Sequence, residues 1–127
     1  MWAPVQREPA LLGHRSYAVD LPGHGLDAQY PLAYQAPQDL DAWAVEPSTL
    51  AGVTLQHNID TVADVVRREA ERGPVVLVAA SLGGLTITGV GNAIPELVNR
   101  LVYISAWSCV QRANPIEYMQ EAELPTT

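Results

Sequence analysis

Ser81 stands between an uninterrupted apolar run, Val75-Val-Leu-Val-Ala-Ala80, and the pair Gly83-Gly84. That is the layout of a strand turning sharply into a helix with a serine at the apex, where its hydroxyl is held out at the end of a sheet as a nucleophile. The backbone is strained at such an apex, so the residues two before and two after must be very small. Here they are Ala79 and Gly83. The usual pattern is G-x-S-x-G, and Ala79 departs from it by one methyl group. A serine hydroxyl is a weak nucleophile at neutral pH until a base takes its proton. The histidines are His14, His24 and His57, and all precede Ser81; the acids that follow it are Glu96, Glu117, Glu121 and Glu123. Cys109 is the single cysteine, which excludes an intrachain disulfide and a cysteine metal cluster. It reads as a small buried hydrophobe. Nothing in these residues calls for a metal or another cofactor.

The elements that would position Ser81 follow from periodicity. Leu55, Ile59, Val62, Val66 and Ala70 recur at steps of four and three, which predicts a helix over 54–72 with one apolar face. Thr54 suits its N-cap, Arg67, Arg68 and Arg72 suit its C-terminal end, and Gly73-Pro74 stops it. The run 75–78 is too continuous for a half-exposed strand and predicts one covered on both faces, as parallel strands are. The helix expected after Ser81 is rich in β-branched residues and glycine, so packing must hold it, with Gly89 and Gly91 permitting close approach. Pro95 marks its end region, and Leu101 to Ile104 read as a further buried strand. Upstream, residues 4–12 predict a weak helix that begins at Pro4, is disturbed by Pro9 and stops at Gly13. Residues 16–20 predict a short strand running into the turn Leu21-Pro-Gly-His-Gly25, whose glycines allow positive φ. From there to about residue 53 the chain reads as an ordered excursion with one helical turn near Asp39 to Trp43. Alternating strands and helices imply an α/β fold with a parallel sheet.

At 127 residues and 48% apolar, the chain has enough material for one core. A formal net charge of −7, from 14 acidic against 7 basic side chains, argues against nucleic acid or an anionic membrane as partner. The N-terminal residues lack a basic start followed by an apolar stretch, and no apolar run reaches the roughly 20 residues of a membrane span. The location these features favour is cytoplasmic.

Three segments taken together, Gly13-His-Arg-Ser-Tyr-Ala-Val-Asp-Leu-Pro-Gly-His-Gly25, the turn at Ser81, and Arg100-Leu-Val-Tyr-Ile-Ser-Ala106, resemble the α/β-hydrolase superfamily, nearest its small esterase and hydroxynitrile-lyase-like branch. The resemblance implies a three-layer α/β fold with a mainly parallel sheet, residues 1–110 forming a partial hydrolase core and 111–127 the start of a cap segment or a disordered tail. It implies Ser81 as catalytic nucleophile, the backbone N–H of Leu82 as an oxyanion-hole donor, and Ser105 and Trp107 as lining for a pocket. The implied activity is hydrolysis of a carboxylic ester or similar acyl compound, with cyanohydrin lyase chemistry as the nearest relative. In such hydrolases a first strand and His-Gly loop supply the second oxyanion donor, and the triad runs serine, acid, histidine. Against that pattern the chain looks partial: the first strand, the acid and the late histidine are not found. His24 reads as a hydrogen-bonded loop residue, His14 and His57 as structural, and Asp20 as a partner of the turn backbone. The alternative is a catalytically silent fragment or a binding and assembly module, which would self-associate through open sheet edges.

Overall fold

The computed structural model describes residues 2–109, 114 and 116–118. Residue contacts divide it into two units, Met1–Thr54 and Leu55–Thr127.

In the first unit, helix α1 (Ala3–Leu11) holds Pro9 in its interior and buries no residue. It ends at Gly13, whose φ of 81° lets the N–H of His14 reach back to the carbonyl of Pro9 at 2.9 Å. Residues 14–21 form no strand, which corrects the expectation for 16–20. An extended segment becomes a strand only by sharing a ladder, and no strand lies among the described residues of this unit. Instead Ser16 is tied to α1: its hydroxyl donates to the Gln6 carbonyl at 3.3 Å. The turn after it forms as expected, with φ of 74° at Gly23 and 62° at Gly25. Its closing bond runs from the His24 N–H to the Leu21 carbonyl, 2.9 Å. Two short 3-10 turns, Gly25–Asp27 and Leu32–Tyr34, lead to helix α2 (Leu40–Val45). Asp39 caps α2 by accepting the Ala42 N–H at 2.9 Å.

The second unit opens with helix α3 (Leu55–Ala70), where the apolar repeat puts Val62, Ala63 and Val66 in the core. Arg67 and Arg68 lie in its last turn, and Gly73 follows at φ 142°. Strand β1 (Val75–Ser81), helix α4 (Gly83–Ala93) and strand β2 (Val98–Ala106) complete a strand-helix-strand unit, with the 3-10 turn Pro95–Leu97 before β2. The two strands pair in parallel, as the alternation of elements implies. The helices cover one face of this sheet. Val75, Leu77 and Ala79 point into it, whereas Val76 and Val78 are 49% and 43% exposed. The expectation that β1 is covered on both faces is therefore corrected; a sheet with its helices on one side leaves alternate residues of even a continuous apolar strand outside. Helix α4 supplies Ile87 and Val90 to the core, and Val90 is completely buried. It can approach α3 so closely because residue 89 is glycine, where any Cβ would collide with the side chain of Ile59.

Candidate functional site

β1 delivers Ser81 to the C-terminal edge of the sheet, where open parallel sheets place their ligand sites. Ser81 has φ 52°, a left-handed conformation that non-glycine residues seldom adopt. Such strain, on the order of 1–3 kcal/mol, persists only where the surroundings impose it. They can be named here. The carbonyl of Ser81 accepts the N–H of Trp107 at 3.0 Å, which fastens the apex to the chain leaving β2. Directly behind it, Leu82 adopts φ −61°, ψ −20° as the N-cap residue of α4, so the chain passes from strand to helix within one residue.

The small residues on either side have a measurable reason. A Cβ at Gly83 would lie 3.3 Å from the Cβ of Ala79, tighter than ordinary carbon contact, and Ala79 is itself buried. The backbone of the strand and that of the helix are therefore as close as one methyl group allows. Gly84 is bound more strictly, because a Cβ there would run into the Trp107 carbonyl.

Ser105 and Trp107 arrive at the same edge from β2. The strand register slips there: Ala80 pairs with Ile104 but Ser81 with Ala106, so Ser105 is left over as a bulge. It takes φ 43° to do so, the second left-handed non-glycine residue of the described chain. The structure thus brings Ser81, Leu82, Ser105 and Trp107 together at one sheet edge. These are the four residues named from the sequence, a reading that missed the buttressing by the Trp107 backbone and the obligation it places on Gly84. The Gly83-Gly84 pair was the signal for that packing.

Ser81 is exposed. His24 Nδ1 lies 3.0 Å from the Pro22 carbonyl, within its own turn, as its reading as a loop residue expects. His14 belongs to the first unit, and His57 sits on α3, where its carbonyl accepts the Thr61 hydroxyl at 2.8 Å. The Asp20 carboxylate packs against Gly25, at which any Cβ would strike it. Glu96 lies in the 3-10 turn before β2, at the opposite end of that strand from Ser81. Glu121 and Glu123 fall outside the described residues, as does most of the segment 111–127. Cys109 is a free thiol of intermediate burial. Among the described residues, no group of three or more His, Cys, Asp or Glu side chains could hold a metal ion, and no helix is long and apolar enough to cross a membrane.

On α4, Thr88 joins the helix to β2. Its hydroxyl hydrogen-bonds the Gly84 carbonyl and the Tyr103 hydroxyl, each at 2.7 Å. This pins the first turns of the helix, and with them the amides of the Ser81 turn, to the strand beside β1.

A protein-family model described as "Alpha/beta hydrolase family" matches residues 1–125. No curated protein matches the sequence.

Proposed function

The chain belongs to the alpha/beta hydrolase family, and from that premise we propose that Ser81 is the nucleophile of a hydrolase acting on carboxylic esters or similar acyl compounds. The left-handed, exposed Ser81 between β1 and α4 is the observation that carries this reading. In the reaction, Ser81 Oγ attacks the acyl carbonyl as a base removes its proton, the alcohol leaves with a proton, and water then cleaves the acyl-enzyme. The N–H of Leu82, at the start of α4, lies where a helix leaves amides free for an anion and supports the developing oxyanion. Ser105 and Trp107 are proposed as walls for the acyl group.

A serine hydroxyl needs a base to become a good nucleophile, so the test supplies one. The 127-residue chain is treated with a fluorophosphonate, with and without added imidazole, beside a Ser81→Ala control, and adducts are located by mass spectrometry. Little labelling is expected without imidazole, and a Ser81 adduct with it. Failure to label Ser81 under either condition overturns the nucleophile reading.

A second reading, a catalytically silent module that self-associates, is favoured by the exposed sheet residues Val76, Val78 and Ile104. Its test is the native mass of the purified chain. A defined oligomer supports it, and a monomer counts against it.

A further inference from the structure

Residues 28–49 have no part in the reading above, yet they are organised around aromatic rings. Tyr34, in the turn before α2, and Trp43, on α2, meet with centroids 5.3 Å apart and planes tilted by 48°. They form a corner rather than a stack, and 48% of Tyr34 and 45% of Trp43 remain exposed. Tyr30 extends the wall, and these rings with Glu46, Ser48 and Thr49 line an open cleft of about 540 Å³. That is room for a small organic molecule.

The polar atoms of the cleft decide what kind. The Ser48 hydroxyl accepts the Leu50 N–H at 3.2 Å, and the Thr49 hydroxyl donates to the Gln29 carbonyl at 3.4 Å, so both are engaged within the chain. The Thr49 donor is thereby used, whereas the bond at Ser48 uses a lone pair. Glu46 is the ionisable acid of the lining, and one of its oxygens accepts the Ala33 N–H at a long 3.4 Å. The surrounding sequence does not neutralise it: between Arg15 and Arg67 there is no lysine or arginine, while Asp20, Asp27, Asp39 and Asp41 share the first unit with Glu46. The lining thus combines one carboxylate, no basic side chain and three aromatic rings. A cation gains from the carboxylate and the rings, an anion is repelled, and a neutral apolar molecule gains only from contact.

We propose that this cleft binds an alkylammonium group, with quaternary ammonium preferred because the lining is mostly aromatic and apolar and carries one carboxylate. The proposal is independent of whether Ser81 reacts.

The test is a titration of the full chain against choline, read from the N-methyl proton resonance, which the ring currents move upfield on binding. The neutral isostere 3,3-dimethylbutan-1-ol serves as the comparison. Saturable binding is expected with Kd on the order of 1 mM, as an open cation–π site allows, and about tenfold weaker binding of the alcohol. Trp43→Ala should abolish the shift. Because that change can also unfold α2, the isosteric Glu46→Gln decides: choline binding weakened about three- to tenfold, with the circular dichroism spectrum unchanged, supports the site. Equal binding of alcohol and choline, no binding of choline, or an unaffected Glu46→Gln overturns it.

Discussion

The two units of this chain are ordered by different means. Every residue of the buried core, from Val62 to Ile94, belongs to the second, and none of the described residues 2–54 is buried. The second unit obtains its order from apolar burial at about 25 cal/mol per Å². The first has the means usual for loops: an aspartate cap on α2, glycines at positive φ, proline-rich turns and a tilted aromatic pair. Each of those contributes about 1 kcal/mol or less and is local. The lesson is that a defined backbone does not require a core, but a cooperative one does. Left-handed strain at Ser81 and Ser105 is found in the unit that has the burial to hold it.

Deleting core volume should separate the units most sharply. Val90→Ala is expected to cost about 2 kcal/mol, seen as a lower urea midpoint for helix loss from α3 and α4, with the Tyr34 and Trp43 ring resonances unmoved. If those resonances shift in the same transition, the two units share one cooperative fold and the contrast fails. Gly84→Ala comes next. Its new Cβ meets the Trp107 carbonyl, and the backbone shift should cost about 1–2 kcal/mol. It should also lower imidazole-assisted labelling of Ser81 more than Val90→Ala does, which separates damage to the turn from loss of stability. The smallest effect belongs to Asp39→Ala. Loss of the α2 cap should cost about 1 kcal/mol, visible as faster amide exchange confined to residues 40–45 and absent from the main unfolding transition.

How far the sequence could be read follows the same division. The α3 repeat foretold its buried face, because a helix with a core beside it carries a period that burial enforces. Only the first member of the predicted row, Leu55, is largely exposed, at the helix end. The Ser81 turn was legible through Ala79 and Gly83, since the backbone geometry there leaves few residue types that fit. Residues 16–20 were misread because Tyr17, Ala18 and Val19 have strand-like side chains, while a strand is a property of two segments, and a single stretch does not announce its partner. Strand β2 extends well past 101–104 at both ends, since Val98 and Arg100 pair with Val75 and Val76 through their backbone while the Arg100 side chain is exposed. The bulge at Ser105 had no signal of composition at all: serine is not a residue that marks a left-handed position, and the register slip that demands one depends on the facing strand.

Ala79 and Gly83 face each other across a gap with room for a single methyl group, and in this chain the strand has it. The two positions are therefore not free to vary separately. An alanine at 83 is tight while 79 is alanine and relaxed once 79 is glycine, so the effects of the two changes depend on each other. Seen as inheritance rather than as packing, the pair is one coupled character, and a lineage changing it meets less strain through the double glycine, which is looser, than through the double alanine, which is crowded.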